Sequence, residues 1–246
     1  RNKNDSEITN YNVGSLITLK DNTSGNPIGF AASINTAKTV ITINPTSDFS
    51  SEQVIYVAIA ASVEDFYDNA ISASSITFTA VDSVSPTIVF DPTDLEGQVP
   101  VTDKITLTFS EAIRKIDSNT TLNDTNVDAL ITLKDTNENG TDIGFNATIN
   151  DPTNTIITIV PDSSFSSEQT VYVAIGATVE DYSDNAITES SITFVAIDST
   201  APNLDFTPAD SATGIAVNSD ITIDFDEEIF LDNGDPITES NVDALI

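Results

Sequence analysis

The chain has 246 residues, 39% of them apolar, and its 39 acidic against 8 basic residues give a formal net charge of −31. A polyanion repels nucleic acid and anionic lipid at long range, which excludes both as partners and favours cations instead. The absence of cysteine and histidine and of any apolar run of 18 or more residues excludes disulfides, Ser-His-Asp chemistry and membrane insertion.

A long internal repeat organises the sequence. Residues 50–86 recur as residues 166–202, 116 residues further on, and both copies end in a D-S-x-x-P linker. The blocks that follow, residues 87–113 and 203–229, are also related. A repeat of this length indicates separate structural units strung along one chain.

A third related block predicts how the units are divided. The segment NVGSLITLKD, which starts at Asn12, recurs from Asn126 and begins again at Asn241. In order, the blocks predict one complete unit between two partial ones. These are a first unit (residues 1–84) that lacks its opening strands, a complete central unit (residues 85–200), and a last unit (residues 201–246) that contains only opening strands.

Short alternating segments predict the strands of the central unit. Apolar residues alternate there with threonine and other polar residues, and clusters of Asp, Asn, Gly and Pro separate the segments. Period-two alternation rich in β-branched residues predicts strands with one buried face, and no helical period competes with it. In chain order the predicted strands are A (87–90), B (104–110), C (129–134), a middle pair (144–148 and 154–160), F (170–179) and G (186–197).

Two motifs in this pattern are specific. An F-x-E follows strand B at Phe109 and Glu111, and a D-x-x-(D/G)-N-A turn occurs twice. Together with the order of the other segments, they resemble the bacterial Ig-like repeats of large adhesins and S-layer-associated proteins. The resemblance implies an all-β fold of tandem Ig-like Greek-key β-sandwiches, one complete and two partial. Family members usually carry glycine at the fourth position of the turn, where this chain has Asp68 and Asp184.

The resemblance also implies a function. Ig-like repeats of this kind serve as spacers or adhesive modules outside the cell, so we expect a rod-like stalk of a secreted or cell-surface protein or extracellular filament. The alternative is an adhesin module that binds a glycan or a protein through the loops at one pole. A catalytic pair of carboxylates would need a buried acid in a cleft, which short loops on a small sandwich rarely form, so we predict that the chain is not an enzyme.

Acidic residues are predicted to meet where one unit joins the next. In an Ig-like topology the B–C and F–G loops lie beside the linker through which the chain enters. Ca²⁺ binds six to eight oxygens, which carboxylates, amides and carbonyls supply, so we predict a structural Ca²⁺ site there. Its candidate ligands are Asp82 of the linker, Glu111 after strand B, and Asp181, Asp184 and Asn185 of the F–G turn.

Parts of the same site recur elsewhere in the repeat. The next junction contains Asp198 and Glu227, and the turn of the first unit contains Asp65, Asp68 and Asn69. Two interpretations are open. Asp and Asn favour turns because they cap their own backbone, which would make these solvated turn residues. Alternatively, a cation neutralises the repulsion among like charges held in one small volume.

The partial units also admit two interpretations. One is a fragment cut from a long array without regard to the edges of its units. The other is assembly between identical chains, in which the tail of one chain supplies the strands that the head of the next one lacks, because an unpaired sheet edge invites an added strand. The expected partners are therefore neighbouring Ig-like repeats or identical chains arranged head to tail.

Overall fold

A computed structural model describes residues 6–102, 104–116 and 120–242, and the regular secondary structure of these residues is almost entirely β-strand. The all-β fold class is therefore confirmed. Within the described part of the first unit, a 3₁₀ helix (Val13–Leu16) precedes five strands. These are β1 (Ile17–Asp21), β2 (Phe30–Ile34), β3 (Ile41–Pro45), β4 (Val54–Ile59) and β5 (Ser74–Thr79).

The central unit contains ten of the described strands and a second 3₁₀ helix, Asp128–Leu130. Its strands are β6 (Ile88–Asp91), β7 (Glu96–Val99), β8 (Ile105–Phe109), β9 (Arg114–Lys115), β10 (Ile131–Asp135), β11 (Phe145–Ile149), β12 (Ile156–Pro161), β13 (Thr170–Ile175), β14 (Val179–Glu180) and β15 (Ser190–Ala196). The last unit contributes a hairpin of β16 (Leu204–Thr207) and β17 (Thr222–Phe225).

Two four-stranded sheets form the central unit. One has the order β10-β13-β15-β7, in which β7 runs parallel to β15, and the other has the antiparallel order β11-β12-β8-β6. Alternate side chains of each strand point inward, as in β8, where Ile105, Leu107 and Phe109 are buried while Thr108 is exposed. This alternation gives the two inner faces one continuous apolar core, the arrangement of a β-sandwich.

The predicted strands A to F begin where the structure places them, within two residues, but two of the predicted boundaries were wrong. Predicted strand F is interrupted after Ile175, and its last part is the separate strand β14, which pairs with β9. Predicted strand G begins at Ser190 rather than at residue 186, because residues 186–189 close the F–G turn. A period-two alternation of residues does not show which neighbouring strand a segment pairs with.

The pattern also missed strand β7. Its sequence Glu-Gly-Gln-Val has little β-propensity, and Leu95 and Gln98 adopt positive φ values of 61° and 62°. Its assignment as a strand depends on parallel pairing with β15, where Glu96 lies opposite Phe194. Only the tertiary fold supplies that partner.

The first and last units contain subsets of these same sheets. The first unit has the sheets β1-β4-β5 and β2-β3, which correspond to β10-β13-β15 and β11-β12 of the central unit. The hairpin β16-β17 corresponds to β6 and β8, with Phe206 opposite Ile223 as Phe90 is opposite Leu107. The division into one complete and two partial units remains a prediction, and these pairings are the observations that bear on it.

Candidate metal centre at the junction between units

Three of the predicted ligands lie together at the junction between the first and central units. The linker supplies Asp82, the segment after β8 supplies Glu111, and the F–G turn supplies Asp181. One carboxylate oxygen of each lies within 4.8 Å of the other two. These residues come from three segments far apart in sequence, so the tertiary fold alone creates this concentration of negative charge.

The F–G turn holds Asp181 in a fixed orientation. Its Oδ1 accepts hydrogen bonds from the backbone N–H groups of Ser183 (2.7 Å) and Asn185 (2.8 Å), and its Oδ2 accepts one from Nδ2 of Asn185 (2.8 Å). The residue is 1% exposed. Aspartate suits this turn because its short carboxylate can cap backbone donors two and four residues further along the chain.

The linker residue Asp82 is anchored to both units. Its Oδ1 accepts hydrogen bonds from Oγ of Ser51 (2.6 Å) and from the N–H of Val84 (3.1 Å). Its backbone carbonyl accepts a bond from Nδ2 of Asn185 (3.3 Å). The hydrogen bonds to its carboxylate, that of Ser51 above all, lower the pKa of Asp82, so this carboxylate is charged at neutral pH.

The pKa of Glu111 is shifted in the opposite direction. Burial raises its pKa above the usual 4.5, and the negative charges of Asp82, Asp181 and Glu52 raise it further. Ionised Glu111 is thus disfavoured here unless a positive charge lies nearby. The junction therefore combines Asp82, whose pKa is lowered by hydrogen bonds, with Glu111, whose pKa is raised first by burial and then by the neighbouring negative charges.

Asp184, also predicted as a ligand, is engaged elsewhere. Its carboxylate forms an ion pair with Nη2 of Arg114 on β9, and its side chain is 80% exposed. The same guanidinium donates through Nε to Oε1 of Glu180 at 3.2 Å and lies over the ring of Tyr182. Asp184 is therefore separate from the cluster of Asp82, Glu111 and Asp181.

The backbone of the turn favours glycine at the position of Asp184. That residue has a φ of 70°, and the equivalent Asp68 in the first unit has a φ of 64°. Backbone in this left-handed region suits glycine best, with Asp and Asn the residues that tolerate it next. The backbone therefore tolerates aspartate at this position, and the departure from glycine does not by itself indicate an additional ligand.

The remaining candidates lie at two other places in the chain, the junction between the central and last units and the F–G turn of the first unit. Asp198 accepts hydrogen bonds from Ser167 (2.6 Å) and Thr200, which lower its pKa to about 2, while burial and the charge of Asp198 raise the pKa of Glu227. In the first unit, Asp65 caps its own turn as Asp181 does, through Nδ2 of Asn69 at 2.9 Å. The described residues place no linker or strand-B carboxylate beside Asp65.

Sequence reasoning missed two kinds of residue at this site. Ser51 and its equivalent Ser167 donate short hydrogen bonds to the carboxylates of Asp82 and Asp198. The identical segment S-S-E-Q in both copies of the repeat could have indicated them. Arg114, which captures Asp184, gave no such signal, because its equivalent in the last unit is Phe230. Its role depends on the pairing of β9 with β14.

Residues 82–195 match the family model described as bacterial Ig-like domain. The match confirms the predicted resemblance of the central unit to bacterial Ig-like domains, which are structural modules typical of bacterial surface proteins. Across the described part of the chain, no helix is both long enough and apolar enough to cross a membrane.

Curated proteins and solved structures were also compared with the chain. No curated protein matches the sequence. The crystal structure of CopC from Methylosinus trichosporium OB3b aligns with 47% of this chain and 97% of its own, at 13% identity and a TM-score of 0.33. A likeness of this size carries no argument about ligand or role.

Proposed function

We propose that the chain is a rod-like, non-enzymatic spacer of a secreted or cell-surface protein, in which Ig-like units follow one another and Ca²⁺ stiffens the junctions. A sandwich resists extension through its strand ladders, and a series of sandwiches sets the reach of the molecule. The observation that carries the proposal is the convergence of Asp82, Glu111 and Asp181 at the point where two units meet.

The spacing of these carboxylates suits calcium. Ca²⁺ binds oxygen at about 2.3–2.6 Å, so two ligands of one ion lie no more than about 5 Å apart. The three oxygens meet this limit at 4.8 Å. Three carboxylates provide up to six oxygens, and a hard cation takes six to eight with the help of carbonyls or water.

An ion in this position would act on the linker. Asp82 lies between the units and is already bonded to Ser51 of the first unit and to Asn185 of the central unit. Binding Asp82 and Asp181 to one ion would add a restraint between the linker and the central unit, beside the hydrogen bond from Asn185. The bending freedom of the linker would fall, which is the property that a stalk requires.

Adding Ca²⁺ is expected to raise the free energy of unfolding of the chain by roughly 2.7 kcal/mol when free Ca²⁺ exceeds the Kd 100-fold, because the ion binds the folded state alone. Thermal unfolding followed by circular dichroism, with and without EDTA, measures the effect. Asp181→Asn should abolish the response. The matched control, Asp65→Asn, changes the equivalent turn residue outside the cluster and should leave the response intact.

Small-angle scattering tests the mechanical part of the proposal. With Ca²⁺ the maximum dimension of the chain should increase and the spread of molecular dimensions should narrow, because a stiffer linker keeps the units extended. A Ca²⁺ response equal in wild type and Asp181→Asn would contradict the site, and identical scattering profiles with Ca²⁺ and with EDTA would contradict the stiffening.

Glu111→Gln is expected to act in opposite directions with and without Ca²⁺. The folded-state pKa of Glu111 is raised, so the folded state binds the proton more tightly and wild-type stability declines as pH rises from about 4.5 through that pKa. Glutamine removes this decline, so the variant should be more stable than wild type at pH 7 in EDTA. In saturating Ca²⁺ it should be less stable, because a ligand is lost.

Glu96→Gln is the control for the sign of this effect. Hydrogen bonds from the N–H and hydroxyl of Thr93 lower the pKa of Glu96, so this residue stabilises the fold above about pH 4.5 and loses that contribution as pH falls. Glu96→Gln should be destabilising at pH 7 in both Ca²⁺ and EDTA. Urea unfolding at several pH values measures both variants.

One observation favours an adhesin as the second candidate function. The F–G turn of the first unit exposes Phe66 (73%) and Tyr67 (80%) side by side, with ring centroids 5.6 Å apart. Aromatic rings on a polar loop stack well on sugars and on protein partners. Binding of the chain to a glycan array, lost in Tyr67→Ala, would support this function over an inert spacer.

A further inference from the structure

Strand β11 lies at the edge of its sheet in the central unit, and its N–H groups point alternately toward β12 and away from the sheet. The N–H of Asn150 donates to the carbonyl of Ile156 at 3.0 Å, which fixes the alternation. The N–H groups of Ala147 and Ile149 therefore point away from the sheet. An outward N–H at a sheet edge is a place where a strand of another molecule can pair.

Two aspartates of the loop before β10 accept hydrogen bonds from these outward N–H groups. Oδ1 of Asp128 accepts the N–H of Ala147 at 2.6 Å, and Oδ1 of Asp124 accepts the N–H of Ile149 at 2.9 Å. Ala147 and Ile149 are 0% and 7% exposed, so the loop covers the edge as a neighbouring strand would. The donors of β11 that a strand of another molecule would use are therefore already occupied.

The loop that carries the two aspartates is anchored in the core. Leu122 and Val127 are buried among the apolar residues of the sandwich. Between them, Oδ1 of Asn126 accepts the N–H of Asn123 at 2.9 Å, and the carbonyl of Asn123 accepts the N–H of Val127 at 3.1 Å. The core therefore holds the aspartates at the edge of β11.

The edge of the other sheet on this side of the sandwich is covered by backbone groups. The carbonyl of Leu133 on β10 accepts the N–H of Ile143 at 3.0 Å, and the N–H of Asp135 donates to the carbonyl of Thr141 at 2.9 Å. The connection from β10 to β11 thus covers the edge of β10, while the two aspartates cover the edge of β11.

We propose that Asp124 and Asp128 prevent the edge of the central unit from pairing with a strand of a second copy of the chain. An approaching strand needs the N–H groups of Ala147 and Ile149 as donors, and it meets two carboxylates, which repel its carbonyl groups. Similar units strung along one chain are prone to misassembly by exchange of strands. Residues 50–86 and 166–202 are closely similar here, so the chain needs such protection.

The first unit carries one of the two bonds. Oδ1 of Asn10 accepts the N–H of Ile34 on β2 at 2.8 Å, so a neutral acceptor can cap an edge N–H as a carboxylate does. At the second position Gly14 replaces Asp128, and glycine has no side chain to offer to the N–H of Ala32. The two units therefore differ at one position of an otherwise shared arrangement.

The double variant Asp124→Ala/Asp128→Ala tests the proposal, and Asp124→Asn/Asp128→Asn, which keeps both acceptor oxygens, is its matched control. In dilute alanine variant, amide hydrogen exchange at Ala147 and Ile149 should be roughly 2- to 12-fold faster than in wild type, the factor that one lost hydrogen bond gives. At higher protein concentration this exchange should slow again and the mass from light scattering should exceed that of wild type, because a strand of a second copy accepts the bonds. The asparagine variant should behave as wild type.

Ile157→Val separates the loss of edge protection from a general loss of stability. Ile157 is fully buried on β12, so this variant is destabilised while the edge of β11 stays capped, and its mass should equal that of wild type. Association of Ile157→Val to the same extent as the alanine variant would overturn the proposal. So would an alanine variant that exchanges faster at Ala147 and Ile149 but gains no mass at any concentration.

Gly14→Asp tests the same geometry by adding a bond instead of removing one. A Cβ at residue 14 would meet only side-chain atoms 3.9 Å away, so the first unit has room for the aspartate. We expect slower amide exchange at Ala32 than in wild type, and unchanged exchange there would contradict the proposed cap. All of these measurements are made in EDTA, so their outcome is independent of the proposed Ca²⁺ site.

Discussion

Phe194→Ala is expected to destabilise the central unit by about 3–5 kcal/mol, the usual range for deleting a fully buried phenylalanine ring. Phe194 on β15 is 0% exposed and packs edge to face on Phe165, with ring centroids 5.5 Å apart. Its removal leaves a cavity between two sheets that cannot close without moving their strands. Urea unfolding followed by far-ultraviolet circular dichroism measures the loss.

The first unit provides a matched control for this variant. Phe78 occupies the equivalent position and contacts Phe49, the equivalent of Phe165, in the same edge-to-face geometry at 5.8 Å. It is 41% exposed, so in the dilute monomer Phe78→Ala should cost roughly 1–2 kcal/mol or less. If Phe194→Ala and Phe78→Ala lowered the free energy of unfolding equally, Phe78 would be as well buried as Phe194, which would contradict their different exposures.

Arg114→Met is expected to cost about 3–5 kcal/mol, because it leaves the carboxylate of Glu180 buried without its partner. The side chains of Arg114 and Glu180 are only 11% and 8% exposed. Lys134→Met is the matched control: its ion pair with Asp142 has a similar length of 3.0 Å, but Asp142 is 85% exposed, so the loss should stay below about 1 kcal/mol.

A double variant separates the ion pair from other effects of changing Arg114. Replacing both partners, in Arg114→Met/Glu180→Leu, removes the orphaned charge and should recover most of the stability. The free energies of unfolding of the two single variants and the double variant form a thermodynamic cycle. If the double variant is as unstable as the sum of the single variants, the pair is not coupled and Arg114 stabilises the unit by packing alone.

A chain with a net charge of −31 has to limit the repulsion among the carboxylates that meet at its junction. Next to the junction, Arg114, one of the few cations of the chain, forms ion pairs with both Glu180 and Asp184. In the described part of the chain, no positively charged side chain pairs with the adjacent cluster of Asp82, Glu111 and Asp181, and the pKa of Glu111 is raised. The proposed Ca²⁺ would supply there what Arg114 supplies next to it.

Much of the candidate site was predictable because short-range chemistry determines it. The turn that begins at Asp181 caps itself within four residues, so the sequence alone identifies Asp181 and Asn185 as one feature. The topology expected from the family resemblance then placed Asp82 and Glu111 nearby. The pattern could not exclude Asp184, because its ion pair with Arg114 joins residues 70 apart in sequence.

The repeat and the alternation of apolar residues determined the all-β class and most of the strands, since both depend on periods that a strand imposes on its own sequence. The tertiary structure decided the rest. Strand β7 exists because β15 lies beside it, strand F breaks where β14 turns to β9, and the three carboxylates share one volume only when two units are joined. Each of these features depends on contacts between residues far apart in sequence, and a local pattern of residues does not show which distant segments will meet.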